Sequence, residues 1–448
     1  MALKFIFCAP PTLFLICLGF PAAARANVAD APAENAGQGP KKLTLAEVKQ
    51  NAFERNWDLL AARSGVDLAT AQQIVAREFP NPTLSLTAAK IGTHDNATAL
   101  GNGVWNRSYD SIAAVNQLIE IAGKRSSRQA SARAGVQGAR ARFYDAKRTL
   151  DQGVTKAYAA TLLAEDNVRI LRASAQSLRK EAEIAGVRFK AGDISASDEK
   201  QIENNADVFE LQANSAEAAA VQARIAVELL MGVDQPKGNW APADSLEKLM
   251  IAPPEENASK PEAARSDVLA AEADLRKSKA DLRLQKAIRI PDPTLLVEYE
   301  HNVNQPSPPP APDTLGLGVS FPLPLWNRNG GAIKAAQAAR DQAAIQLEKV
   351  KAQVISDIAV AESAYREALE RLQRYQKQIQ PKSAQVREAI AFSYQKGGAS
   401  LVDLLTAERD DNNVRLAAVQ AMSDTASAAA DLAAARQVLS ETELIPRK

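Results

Sequence analysis

The sequence predicts a mainly α-helical chain with a β membrane portion, made of duplicated long helical hairpins and four β-strands. Three observations predict it: an ordered internal repeat, helical periodicity sustained far beyond globular length, and strand pairs with one wholly apolar face.

The repeat has three landmarks in the same order. Asp58-Leu59-Leu60-Ala61-Ala62 is echoed by Asp267-Val268-Leu269-Ala270-Ala271, and Pro80-Asn81-Pro82-Thr83-Leu84 by Pro291-Asp292-Pro293-Thr294-Leu295. Phe189-Lys190-Ala191-Gly192-Asp193-Ile194-Ser195 resembles Tyr394-Gln395-Lys396-Gly397-Gly398-Ala399-Ser400. Three matches in order argue for duplication.

In each half a helix, about Leu45 to Phe79 or Pro261 to Ile290, ends at the Pro-x-Pro, where proline stops a helix and favours extended backbone. A strand pair follows. In 315–325, Leu315, Leu317, Val319, Phe321, Leu323 and Leu325 alternate with Gly, Ser and Pro. In 295–301, Leu295, Val297 and Tyr299 alternate with Leu296, Glu298 and Glu300. Period two with one apolar face suits a barrel wall, and an edge hairpin on a soluble sheet is the rival. The first-half strands, 83–91 and 109–121, alternate less cleanly. All four approach the ~9–11 residues that a tilted strand needs to cross a bilayer. Four strands cannot close a barrel whose usual minimum is about 8, so several copies must share one, and a trimer would supply twelve.

The long helices span 124–190 and 331–396, each on the order of 100 Å at 1.5 Å per residue. Leu150, Val154, Ala157, Thr161, Ala164, Val168, Leu171, Ala175 and Leu178 step strictly by four and three. That is a heptad with small residues on its seam, as tightly packed supercoiled helices require. Val350, Val354, Ile358, Ala361, Tyr365, Leu369 and Leu372 repeat the pattern in the second half. Gly192 and Gly397-Gly398 end the rods, and Ser195 and Ser400 stand at N-cap positions for return helices. Pro381 interrupts the second rod and predicts a kink, either a hinge that bends the hairpin inward or a plain superhelical bend.

The N-terminus reads as a signal peptide, with Lys4, an apolar run to Phe20 and Ala24-Arg25-Ala26 before the cut. Pro10 and Pro11 argue against an uncleaved spanning helix, and Ile16 before Cys17 argues against lipidation. Both cysteines, Cys8 and Cys17, lie in this segment, so the mature chain would have no disulfide or thiolate chemistry. The organisation expected is 1–26 signal peptide, 27–42 flexible segment, 43–232 first repeat (β-hairpin 83–121, tip near 191–196) and 233–262 linker. The second repeat is 263–441 (β-hairpin 294–325, tip near 396–400), and 442–448 is a tail.

Composition narrows function. Aromatic content is 5%, alanine is abundant, and loss of Lys4 and Arg25 takes the net charge from +1 to −1. No strongly basic face for nucleic acid follows. No Gly-rich phosphate loop follows a strand. Glu362, Glu367 and Glu370 have basic neighbours and read as solvated faces. His94 and His301 both fall near the outer rim of the strands, and a metal site from this pair would lack further ligands. An enzyme, a cofactor and a resident metal are therefore not expected. No nucleotide site and no intramembrane charge relay is evident either, and a periplasmic coiled-coil scaffold is the reading from another class.

Over nearly the whole mature chain these residues resemble the TolC-like outer-membrane efflux family. Leu43-Thr44-Leu45-Ala46-Glu47, Asn51 and Arg55-Asn56 look like its first helix, and Gly123-Lys124-Arg125 like its return into the long helix. Pro322-Leu323-Pro324-Leu325-Trp326-Asn327-Arg328-Asn329 is similar to a segment of the CzcC-like branch, which serves heavy-metal efflux. The resemblance implies a homotrimer with a twelve-stranded barrel in outer-membrane lipid and a helical tunnel in the periplasm. It also implies partners, a periplasmic adaptor and an inner-membrane pump of RND type, and a cargo of heavy-metal cations. Organic compounds or proteins are the alternative cargo. The family's tip pattern, a glycine, a hydroxyl residue three positions on and an Asp three later, falls on Gly192, Ser195 and Asp198 and on Gly397, Ser400 and Asp403. Adaptor contact is expected there and at Leu401. In the first half Glu199-Lys200 depart from the family's apolar residues, which weakens the expectation at that tip.

Overall fold

The computed structural model describes residues 41–89, 110–251, 265–301 and 313–437. The expected signal peptide, most of the 27–42 segment, His94, Pro253-Pro254 and the C-terminal tail lie outside the described residues.

Strand β1 (Lys41–Leu43) leads into helices α1 (Leu45–Arg55) and α2 (Trp57–Val75). Strands β2 (Thr83–Ala89) and β3 (Asp110–Leu118) follow, then helices α3 (Lys124–Lys190) and α4 (Ala196–Leu230). After strand β4 (Trp240–Pro242) and the short helix α5 (Leu246–Leu249), helix α6 (Ser266–Ile288) begins the second half. It continues with strands β5 (Thr294–His301) and β6 (Asp313–Ser320) and helix α7 (Gly330–Arg374). A π-helical turn (Tyr375–Ile379), helix α8 (Gln380–Gln395) and helix α9 (Leu401–Arg436) complete it. No described helix is long and apolar enough to cross a membrane.

Helix α3 is the spine, and α1, α2, α4, α6 and α9 all pack on it. Half of its buried residues are small (Ser131, Ala134, Gly138, Ala141, Ala159, Thr161, Ala185), and Lys124, Val136, Val154, Tyr158, Leu162, Leu171 and Leu178 are the larger ones. A side chain at Gly138 would touch the Cβ of Ala273 on α6 at 3.4 Å, so the two helices run close there. In α7 the expected seam carries through Val354, Ala361 and Leu372, but Ala368 rather than Leu369 is the buried member of its turn. Four and three residues per step drift against a 3.6-residue turn, which moves the seam by one position.

The predicted first helix is in fact two. Asn56 leaves the helix at φ −60°, ψ 127° and caps α2 by accepting from Leu59 N–H at 3.1 Å. Its side-chain amide donates to the Leu230 carbonyl at 3.0 Å, which ties the break to the end of α4. There Gly232, at φ +73°, sits so close to Arg55 that a Cβ would lie 2.3 Å from the Arg55 carbonyl oxygen. Helix α2 also ends at Val75, short of Phe79.

The stretch expected to be a linker or equatorial segment carries β4 and α5 where it is described. Trp240, Ala241 and Pro242 pair in parallel with Lys41, Lys42 and Leu43, and Trp240 is buried. Trp240 stacks on Tyr158 with centroids 6.0 Å apart. The fully buried Tyr158 hydroxyl donates to the Leu43 carbonyl at 2.8 Å and accepts from the N–H groups of Ala243 and Asp244 at 3.2 and 3.3 Å. Val48, Val154, Leu162, Val227 and Leu246 close this core around it.

The four described strands of the larger sheet are antiparallel in the order β2-β3-β5-β6, so the two halves join through β3 and β5. Strand β3 ends at Leu118, before the expected 121, and Phe321, Leu323 and Leu325 lie past the end of β6 because Pro322 and Pro324 cannot donate to a ladder.

The second rod is not one helix. Pro381 has no N–H and its ring crowds the carbonyl four residues back, so the chain widens ahead of it. Gln380 N–H reaches to the Tyr375 carbonyl, a π-type bond, and α8 restarts with Pro381 in its first turn.

Tyr158→Phe removes one donor to the Leu43 carbonyl and the acceptor for the Asp244 N–H, while Ala243 N–H keeps the Leu43 carbonyl at 2.9 Å. Unfolding in detergent, followed by circular dichroism, should show a loss of about 1–3 kcal/mol, and an unchanged midpoint would deny the hydroxyl this role.

Candidate functional site

Two regions stand out, the helical tips and the sheet. At the first tip, Gly192 adopts φ +80°, and its N–H donates to Phe189 O at 2.9 Å while Asp193 N–H donates to Arg188 O at 2.9 Å. At the second, Gly397 adopts φ +76°, with Gly397 N–H on Tyr394 O at 3.1 Å and Gly398 N–H on Ser393 O at 2.8 Å. Both are Schellman closures, which satisfy carbonyls at the helix end and favour glycine. Ser195 and Asp198 then form a capping box, as do Ser400 and Asp403. Asp198 N–H donates to Ser195 Oγ at 3.1 Å, and Ser195 N–H to Asp198 Oδ2 at 3.4 Å. The Ser400 hydroxyl donates to Asp403 Oδ2 at 2.7 Å, and with the Ser400 N–H it holds the Asp403 carboxyl below the usual carboxylate range.

The glycine, hydroxyl and Asp of the tip pattern are thus used by the chain to turn one helix into the next. Leu401 is also turned inward, 7% exposed in a core with Leu178, Ala185, Ile202 and Leu405. Val402, beside it, is 58% exposed. Arg188 lies over the Tyr394 ring at 5.8 Å and links the two tips.

The sheet has two chemically distinct faces. Register places Leu86, Ala113, Tyr299 and Leu315 in one row and Leu84, Val115, Val297 and Leu317 in the next. Leu84, Leu86, Val297, Leu315 and Leu317 are exposed, so this face has no cover among the described residues. The other face carries Ser85, Thr87, Asn116, Glu298 and Glu300, with Gly316 opposite Glu298. A side chain at 316 would come within 2.8 Å of the Glu298 side chain. His301 Nδ1 lies 2.6 Å from Asp313 Oδ1, which also accepts from the Tyr299 hydroxyl at 2.8 Å.

A family model for outer membrane efflux proteins matches residues 48–233 and 258–436. The chain belongs to the outer membrane efflux protein family. This efflux protein is 25% identical over 405 residues to the cobalt-zinc-cadmium resistance protein CzcC of Cupriavidus metallidurans, covering 89% of this chain and 90% of that one. Its fold matches that of CusC with a TM-score of 0.75 at 16% identity, over 91% of this chain and 95% of that one. The Campylobacter jejuni CmeC outer membrane channel matches with a TM-score of 0.74 at 18% identity, over 88% and 85%. It is therefore an outer-membrane efflux channel protein.

One group of the efflux protein lies beside the sequence-predicted sites and was missed by them. Glu181 on α3 has a buried Oε2 without a hydrogen-bond partner. Across from it, Arg387 on α8 meets Glu408 at 3.4 Å and Asp411 at 3.3 Å on α9, and Arg415 meets Asp411 at 2.7 Å. Burial, and then repulsion from Glu408, pushes the Glu181 carboxyl up to about 7 against the pull of Arg387. The signal in the sequence was slight: an acid directly before Ala182 in the continuing heptad Leu178-Ala182-Ala185.

The sign follows from proton linkage. A carboxyl whose folded value is raised holds a proton that the unfolded chain has already lost, so its stabilisation is greatest at low pH and fades as pH rises through about 7. The stability difference between wild type and Glu181→Gln should therefore grow with pH between about 5 and 8 in favour of the variant. Thermal melts across that range would show it, and parallel pH profiles would refute it. Gly192→Ala, with open space but φ +80°, should cost about 1–2 kcal/mol from backbone strain alone, readable in the same melts.

Proposed function

We propose that three copies of this chain close a twelve-stranded barrel in the outer membrane and continue it as a helical tunnel, forming the passive exit duct of a tripartite efflux system. The observation that carries this reading is the four-stranded sheet itself, with β2 and β6 at its edges and an apolar face left uncovered among the described residues. Open edges invite further strands, and closure into a barrel removes them. In a bilayer every backbone group needs a partner within the protein, so the open sheet cannot stand alone there. Three copies give a strand number within the range of such barrels.

The cargo proposed is heavy-metal cations, supported by the likeness to CzcC. The polar sheet face, with Glu298 and Glu300 and no lysine or arginine among its described residues, is compatible with cations. A periplasmic adaptor joined to an inner-membrane pump of RND type would dock at the tips around Gly192, Ser195, Asp198, Gly397, Ser400 and Asp403. On that surface the six residues set the backbone shape, Val402 offers the exposed apolar contact, and Leu401 holds the return helix in place. Pro381 and the π-turn ahead of it would be the point at which the second hairpin bends, since π-turns leave the ladder locally loose.

Purified mature protein in planar bilayers, with its mass in detergent measured in parallel, tests the duct. Discrete conductance steps from a trimer are expected. A soluble monomer that never inserts would favour a periplasmic scaffold instead. Pro381→Ala should restore a regular helix through 375–379 and alter closed-state conductance, and a trace identical to wild type would remove the hinge.

A further inference from the structure

Just behind the tips, four helices from both hairpins enclose a cavity of about 90 Å³. Its apolar walls are Ile184 and Ala185 of α3, Ile202 of α4, Ala391 of α8 and Leu404 of α9. The Glu181 carboxyl breaks this lining. Arg188, seven residues further along α3, also reaches the cavity, but its guanidinium lies over the Tyr394 ring at 5.8 Å. Space of that size holds roughly three or four heavy atoms at ~25–30 Å³ each.

The charges around Glu181 are committed elsewhere. Arg387 of α8 faces it, yet Arg387 is shared by Glu408 at 3.4 Å and Asp411 at 3.3 Å on α9. Arg415 holds Asp411 at 2.7 Å, the exposed Glu388 approaches Arg387 at 3.9 Å, and α4 brings Glu199 beside Gly186. Glu181 Oε2 is buried and accepts no hydrogen bond from a described residue. A buried carboxylate is costly unless it is paired and hydrogen-bonded. The group that matches such an acceptor in apolar surroundings carries N–H bonds and a positive charge on a short hydrocarbon chain. Helix α8 gives the cavity a mechanical meaning. None of its residues is buried, and it begins at the π-turn, so each added contact with the first hairpin counts.

We propose that this cavity binds a small primary ammonium ion of two or three carbons, its nitrogen on Glu181 Oε2 and its chain between Ile184, Ile202 and Leu404. The bound ion braces α8 against the first hairpin. The site lies within one chain, so it stands independently of the barrel and of the trimer.

The test uses the full mature chain in detergent, with n-propylammonium chloride as the probe and potassium chloride and 1-propanol as controls. Amide hydrogen exchange, read by mass spectrometry at pH 8, locates the effect. Propylammonium should slow exchange severalfold in peptides from 178–190 and 383–395, with a half-effect on the order of 1–10 mM, within reach of four heavy atoms. Neither control should do so. Only the carboxylate pairs with the ion, so affinity should fall about tenfold for each pH unit below about 7. Glu181→Gln should abolish the protection. Ala391→Leu, which fills the cavity from the half-buried side of α8 and leaves the carboxyl in place, should abolish it too. Absence of protection in wild type overturns the site, as does protection that survives in either variant or that a control reproduces. Should Glu181→Gln not fold, Ala391→Leu and the pH series decide.

Discussion

Everything in this molecule hangs on how closely other helices can approach α3. A rod of 67 residues has no globular core of its own, and it is stabilised only along the stripes where neighbours lie against it. Small seam residues let those neighbours come near enough for continuous dispersion contact. Ion pairs add little by comparison. Arg142–Asp274, Arg179–Glu210 and Arg172–Glu217 join the same rods, but their side chains are largely exposed and such pairs contribute about 0–1 kcal/mol. Packing therefore decides the arrangement, and the charges decorate its outer faces.

From that constraint the rest of the architecture follows. Rods this long need firm ends, and the chain supplies the same device at both tips, a Schellman glycine followed by a capping box. The buried Tyr158 hub pins the rods near their middle through strands β1 and β4, and Lys124 and Asp292 pin them at the sheet. Between the hub and the tips lies the Glu181, Arg387 and Glu408 group, beside the apolar core of Leu178, Ala185, Leu401 and Leu405 in which the two hairpins also meet. A buried carboxyl with an unpaired oxygen is costly unless protonated, so this is the place where packing of one hairpin on the other answers to pH.

The tip pattern changes meaning once its geometry is known. Gly192, Ser195 and Asp198, and their counterparts Gly397, Ser400 and Asp403, look like contact residues when read as a family signature. In the fold each is occupied in closing a turn. Gly192, Ser195, Gly397, Ser400 and Asp403 remain exposed as they do so, and Leu401 and Val402, adjacent in the chain, face the core and the solvent respectively.

Local chemistry was readable from the sequence alone. The heptad seam, the extent of α3, the glycine turns, the serine caps and the two-faced strands all depend on residues within a few positions of one another, and period and turn chemistry report such relations directly. What depended on distant partners was not readable. Asn56 breaks the first helix because Leu230 offers it a carbonyl, and the stretch after Val233 is ordered because Trp240 finds Tyr158 and Leu43. Glu181 acquires its character from groups more than two hundred residues away in the chain, Arg387 and Glu408. Pro381 announced a disturbance of the helix, and the packed structure gives it the form of a π-turn. Periodicity states which face of a rod is apolar; only the packed structure states what lies against it.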